Sequence, residues 1–197
     1  MRELLIATGN PGKFKEISFI LGNLDLKLFS LKDLGLSGEG LEEDGETFQE
    51  NAKKKAEFFL EKAGMMVLGE DSGIRVNALS DELGVKTRRW GAGYDASDEE
   101  WIEYFLERMK GEEDRVASFR CSACLMGDGV EEFFDGEVSG LITEELEAPI
   151  LPGLPLSSCF LPEGHDKVYA ALGKEGKNQV SHRWKAIRQV GDFLNSI

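Results

Sequence analysis

The chain opens on an apolar run, Leu4-Leu5-Ile6-Ala7, that stops at the turn Thr8-Gly9-Asn10-Pro11-Gly12-Lys13. Beyond the turn the period changes: Phe14, Ile17, Ile20 and Leu21 recur at the spacing of one helix face. That helix is expected to end near Gly22-Asn23, after which Leu24, Leu26 and Leu28 alternate as in a strand. A long helix is predicted over residues 47–63. Thr47-Phe48-Gln49-Glu50 has the form of a capping box, and Phe48, Ala52, Ala56, Phe59, Leu60 and Ala63 make one apolar stripe. Val67-Leu68-Gly69 reads as a strand that ends on the acids Glu70-Asp71, with Ser72-Gly73 as a tight turn.

Ser97-Asp98-Glu99-Glu100 repeats the capping device ahead of Trp101, Ile102, Phe105, Leu106 and Met109, a helix whose aromatics are expected in the core. The run from Val116 to Leu125 reads as a strand. A last helix begins at Ser181 and buries Ala186, Ile187, Val190, Phe193 and Leu194. Arg183, Lys185 and Arg188 fall near its start or on its outer face. Cations at a helix start oppose the macrodipole, so these invite a functional reason.

Strand-like and helical segments alternate without an internal repeat, low-complexity tract or long linker, which argues for an α/β domain. The 197 residues, 41% hydrophobic and 30% charged, suit a single globular domain over 1–197. No apolar run approaches the roughly 20 residues that span a bilayer, and the start lacks a secretory leader pattern. A cytoplasmic protein without a membrane partner is expected. The net charge of -14 repels phosphate backbones, so nucleic acid is not an expected partner. A small anion can still bind where a few cations converge. Cys121 and Cys124 have the spacing of redox and zinc sites, but residues three apart on a strand point to opposite faces, so buried reduced thiols are expected.

Four clusters hold candidate chemistry. The opening turn lacks the spacing of a Walker A loop, yet its glycines let a backbone approach a ligand, the next helix start favours an anion, and Lys13 can meet a phosphate. Glu42, Glu43 and Asp44 are three adjacent carboxylates just before the Thr47 helix. Glu70 and Asp71 sit where the third strand is expected to end, the place where α/β sheets commonly bind ligands. Carboxylates from two such ends suit Mg²⁺, which takes oxygen ligands and shares them with substrate phosphates. The fourth cluster runs from Lys174 through Lys177 to Ser181-His182-Arg183, at another anion-favouring helix start.

Taken together, Ala7-Thr8-Gly9-Asn10-Pro11-Gly12-Lys13 with Glu16, Glu43-Asp44-Gly45-Glu46-Thr47-Phe48 with Glu50-Asn51-Ala52 and Lys55-Ala56, Asp71-Ser72-Gly73 with Val76, and Ser181-His182-Arg183 with Lys185-Ala186 resemble the inosine/xanthosine triphosphate pyrophosphatase family. The resemblance runs from residue 3 to about residue 190. It implies an elongated, two-lobed α/β fold with a central mixed sheet flanked by helices, a substrate cleft between the lobes, and a homodimer. It also implies Mg²⁺-dependent hydrolysis of non-standard purine nucleoside triphosphates (ITP, dITP, XTP) to the monophosphate and pyrophosphate.

Residue by residue, the resemblance implies that Thr8, Gly9, Asn10, Pro11, Gly12 and Lys13 bind the triphosphate together with Lys55. Glu42 or Glu43, with Asp71, would hold Mg²⁺, and Asp71 would double as base for the attacking water. Ser72 would touch the substrate, and Lys177, His182 and Arg183 would line the nucleotide site. N–H donors of His182 and Arg183 would match a 6-oxo purine and oppose adenine's 6-amino group.

Three departures from the family pattern stand out. The family's Phe-Gly-Tyr-Asp-Pro signature falls on Leu154-Pro155-Leu156-Ser157-Ser158, so the base-stacking aromatic becomes Leu154. Phe160, Trp90 or Trp184 could supply a replacement platform, though each is expected in the core or at the rim. Glu70 stands where the family usually has Asp, and Lys86-Thr87-Arg88-Arg89-Trp90 where Ser-Ala-Arg-Tyr is expected. Two other readings therefore accompany the first: a pyrophosphohydrolase for a different nucleotide, and a nucleotide-binding protein that has lost turnover.

Overall fold

In this computed structural model, residues 2–79, 82–93, 95–173 and 180–197 are described, the side chains of Arg88 and Arg89 excepted. The first apolar run forms strand β1 (Arg2–Ala7). Asn10 and Pro11 then start helix α1 (Pro11–Leu21), with proline in its first turn. Gly22 follows as the C-cap, as the sequence predicts, and strand β2 (Leu26–Phe29) comes next. Helix α2 (Phe48–Ala63) is capped by Thr47, whose hydroxyl accepts from the Glu50 N–H at 3.1 Å. The capping box is modified, because the Glu50 carboxylate accepts from the Glu46 N–H at 2.7 Å rather than from Thr47. Gly64, at φ +62°, ends the helix in the left-handed conformation that glycine adopts without penalty.

Strand β3 (Met66–Val76) departs from the sequence reading. Ser72-Gly73 is not a turn; the strand continues through both, since Ile74 and Val76 keep burying side chains beyond the acids. Helix α3 (Asp98–Arg108) has the full capping box, with Ser97 and Glu100 each accepting from the other's N–H. Strands β4 (Val116–Gly127) and β5 (Val130–Ile142) are joined by a tight turn in which Asp128 takes φ 53°. Strand β6 (Phe160–Pro162) and helix α4 (His182–Ser196) complete the regular elements used below.

The strands form one mixed sheet in the order β2-β1-β3-β4-β5-β6. β1 runs parallel to β2 and β3, while β5 and β6 are antiparallel. The chain divides into two compact units, Met1–Ser72 with Cys121–Gly136 and His182–Ile197, and Gly73–Arg120 with Glu137–Ser181. In the first unit, Ile17 and Leu21 of α1 pack with Ile187, Val190 and Leu194 of α4 against Leu4, Ile6 and Leu68. Phe59, Ala52 and Ala56 of α2 pack against Leu5, Ala7 and Val67. In the second unit the core is aromatic, with Trp101 and Phe105 stacked at 5.6 Å and Phe119, Phe160 and Tyr169 in mutual contact. The three cysteines are free and buried. Burial pushes the Cys124 and Cys159 thiols up to about 12, which suits reduced core residues. Among the described residues no helix is long and apolar enough to cross a membrane.

Candidate active site

The site is built around β3. Pairing with β1 runs from Leu4↔Met66 to Ala7↔Gly69, so β1 ends where Glu70 and Asp71 begin. The two acids thus flank the end of a parallel strand although they lie in the middle of their own. Strand alternation sends Gly69 and Asp71 to one face and Leu68, Glu70 and Ser72 to the other. Helix α2 covers the first face closely: a Cβ on Gly69 would come within 2.2 Å of the Ala52 carbonyl oxygen, so only glycine admits the helix there.

On the Glu70 face, opposite charges meet in a dry setting. Glu70 is 1% exposed and Arg183 3%. The Arg183 guanidinium donates from Nε to Glu70 Oε1 at 3.2 Å and from Nη2 to Ser72 Oγ at 2.9 Å, and its Nη1 pairs with Glu16. Lys13 Nζ lies 2.9 Å from Glu70 Oε2, a close ion pair. Cys121 donates its thiol to Glu70 Oε1 at 3.3 Å. Burial pushes the Glu70 carboxyl up, but Arg183, Lys13 and Lys55 outweigh it and hold the group well below the usual carboxylate range. Burial likewise works against the Arg183 charge and is overcome by Glu70 and Glu16, so the guanidinium stays charged. Here lies the reason for a cation at the start of α4: two carboxylates compensate it.

On the Asp71 face the balance differs. Asp71 Oδ2 accepts from Asn51 Nδ2 at 3.1 Å. Lys55 donates to the Glu70 carbonyl oxygen at 2.9 Å and pairs with Glu43. Burial is the largest influence on Asp71, and Glu70 adds to it; Lys13 and Lys55 oppose both without cancelling them, leaving the carboxyl above the ordinary aspartate value. Burial lowers Lys55, yet Glu43 and Asp71 more than restore it, so the ammonium stays protonated.

The opening turn is more self-satisfied than its sequence suggests. Thr8 Oγ1 accepts from the Asn10 N–H at 3.1 Å. Asn10 Oδ1 accepts from the N–H groups of Gly12 and Lys13 at 2.8 and 3.1 Å. Those two donors, expected to face an anion, are thus capped by the turn's own asparagine. Gly9 is exposed and nothing lies within 4 Å of the position a Cβ would take, while Pro11 is exposed at the helix start.

Of the remaining expected residues, Glu42 is exposed, whereas Glu43 turns to Lys55. His182 is buried at the start of α4. Lys177 lies outside the described residues. In the second unit, Leu156, Ser157 and Ser158 are buried, and the Ser158 hydroxyl donates to the Pro149 carbonyl oxygen at 2.8 Å. Phe160 is fully buried in the aromatic core, and Trp90 packs against Trp101, Tyr104 and Phe105. Trp184 lies under the Arg188 guanidinium, 5.0 Å from the ring centroid. Sequence reasoning gave no role of their own to Asn51 and Glu16, and saw Glu70 only as a strand-end carboxylate suited to Mg²⁺. The available signal was a polar amide inside the apolar stripe of α2, between Phe48 and Ala52.

Fold and site together define an α/β protein with two lysines and a raised aspartate beside the end of a parallel strand. Residues 4–193 match the Ham1 family, and the chain belongs to that family. It is 37% identical over 197 residues to a dITP/XTP pyrophosphatase of Leptospira interrogans, covering 99% of this chain and 98% of that one. It is 36% identical to a protein of the same name from Bacillus subtilis, over 100% and 98% of the two chains. Among solved structures, a HAM1 protein from Coxiella burnetii superposes with a TM-score of 0.86 at 31% identity over the whole of both chains. The Staphylococcus aureus Ham1 protein does so at 0.82 and 34% identity, over 99% of each.

Proposed function

We propose that this protein hydrolyses non-standard purine nucleoside triphosphates, dITP, XTP and ITP, to the nucleoside monophosphate and pyrophosphate. The observation that carries the reading is full-length identity of 37% to a protein named dITP/XTP pyrophosphatase. The site supports it chemically. Hydrolysis adds a water oxygen to the α-phosphorus and breaks its bond to the bridging oxygen, which leaves with pyrophosphate. Asp71 takes the water's proton. Its carboxyl, raised by burial, is a better base than an ordinary aspartate. Lys13 and Lys55 offset the negative charge of the phosphates, and Ser72 touches the substrate from the same strand.

The donor set fits a divalent cation. Asp71 and Glu43 bring two carboxylates beside Lys55. A triphosphate would add further negative charge. Mg²⁺ commonly uses one or two protein carboxylates and completes its shell with phosphates and water. Among the described residues no group of three His, Cys, Asp or Glu side chains is placed to hold a metal by itself, which is compatible with that sharing. Glu43 and Asp71 would hold the ion, Glu43 in preference to exposed Glu42. When bound, it would supply charge neutralisation at the phosphates.

Thr8 to Gly12 approach the phosphates as backbone and small side chains. His182 and Lys177 take the nucleotide side of the site. Arg183 is assigned there too, though three of its N–H groups already face Glu70, Glu16 and Ser72, which favours a role in holding Ser72. The protein is expected to be a cytoplasmic homodimer with a nucleoside triphosphate as its ligand.

A second reading, a different nucleotide, draws on the base loop. With Leu154 in the aromatic position, stacking worth about 1–3 kcal/mol per base has no evident source there. One screen separates the two: pyrophosphate release with Mg²⁺ from inosine, xanthosine, guanosine, adenosine and pyrimidine triphosphates. The first reading expects the non-standard 6-oxo purines to win by a wide margin. Preference for another base, or no turnover, contradicts it.

A further inference from the structure

Asn51 is 1% exposed, on the face of α2 that carries Phe48 and Ala52. An amide buried there is costly unless both of its ends are bonded. Both are. Oδ1 accepts from the Gly45 N–H at 2.8 Å, and Nδ2 donates to Asp71 Oδ2 at 3.1 Å. The partners fix the amide's orientation, since a backbone N–H only donates and a carboxylate only accepts.

The fit of the loop is close. A Cβ on Gly45 would lie 2.7 Å from Asn51 Oδ1 and 2.8 Å from the Glu50 Cβ, so a larger residue at 45 would push the loop off the helix. One turn further along α2, on the same face, Lys55 pairs with Glu43 and donates to the Glu70 carbonyl oxygen. Each of these two side chains therefore touches both the 43–45 loop and the 70–71 stretch of β3. Lys55 holds them by charge. Asn51 holds them by geometry, and it bonds to the Asp71 carboxylate itself. Among the described hydrogen bonds of Asp71, this is the one to its side chain.

We propose that Asn51 is a positioning residue, fixing the Asp71 carboxylate relative to the Gly45 loop that carries Glu43. The inference rests on the pyrophosphatase reading for its catalytic consequence, because a base displaced by an ångström loses rate rather than affinity. The anchoring itself stands on the geometry alone.

Two variants of the full chain separate the two bonds. Asn51→Asp keeps the acceptor for Gly45 and removes the donor to Asp71; Asn51→Ala removes both. With dITP, kcat is expected to fall by about 100-fold in each variant while KM changes little. In an Asp71→Asn background, adding Asn51→Ala is expected to cost no further kcat, as residues acting through one another are not additive. Hydrogen exchange at the Gly45 amide should speed up in Asn51→Ala and stay slow in Asn51→Asp. Near wild-type kcat in Asn51→Asp, or a full additional loss in the double variant, would overturn the positioning role. An equally protected Gly45 amide in Asn51→Ala would overturn the anchoring. Failure of the wild-type chain to release pyrophosphate from dITP or XTP would instead sink the pyrophosphatase reading, and the Gly45 exchange comparison would still decide the anchoring.

Discussion

Glu70 and Asp71 are neighbours in sequence and opposites in setting. Glu70 faces Arg183 and Lys13, and its carboxyl is held below its ordinary value. Asp71 faces Asn51, with Lys55 and Glu43 nearby, and its carboxyl is raised. The strand period alone separates them, since one residue of advance moves a side chain to the other side of the sheet. The lesson is that two carboxylates whose surroundings push their proton affinities apart take different tasks. Glu70 is an ionic keystone, and Asp71 is the group that the proposed mechanism uses as base.

The largest way to break this division is at Arg183. Replacing it with methionine leaves Glu70, 1% exposed, facing Lys13 without its main counter-charge. Removing one partner of a buried pair costs about 3–5 kcal/mol. Equilibrium urea unfolding of Arg183→Met should show a loss of that size; an unchanged midpoint would mean the cluster tolerates an unpaired carboxylate, against the account.

A smaller effect is expected at Lys13, whose ammonium acts on both carboxylates. A charge-assisted contact to phosphate is worth about 1.5–3 kcal/mol, so Lys13→Ala should weaken triphosphate binding by roughly 10- to 100-fold and monophosphate binding far less. Calorimetric titration of the two ligands decides it, and equal losses would make Lys13 a scaffold residue.

The smallest test uses acid. Because the Glu70 carboxyl is lowered in the fold, the stability it confers is present above its unfolded value and is lost as pH falls through the folded one. Asp71 has the opposite sign, its charged form being disfavoured by burial. The slope of unfolding free energy against pH below the ordinary glutamate range should therefore be shallower in Glu70→Gln, by up to about one proton. Asp71→Asn should not flatten it in that way.

Much of this architecture is legible in the chain. The Ser97–Glu100 capping box, the Thr47 cap and the stripe of α2 are local signals, and the structure reproduces them with a one-residue change at the helix start. What failed was non-local. Ser72-Gly73 has turn composition, yet the pull of Ile74 and Val76 into the second unit's core keeps the strand extended. That Glu43 rather than Glu42 turns inward depends on Lys55, on a different element. The side chain of Asn10, expected to bind the triphosphate, also satisfies the N–H groups of Gly12 and Lys13. The ion pairs of Arg183 could not be read from the chain, because Glu16 and Glu70, far away in sequence, come together with it only in the fold.

The most direct test of the account is Asp71→Asn, with pyrophosphate release from dITP and urea unfolding measured on the same preparation. A general base contributes about 10²–10⁴-fold to rate, so kcat should fall by that order. Stability should hold or rise, because the substitution removes a charge that burial disfavours. A variant that keeps near-normal release, or that loses it only by unfolding, would contradict the division of labour between the two faces of β3.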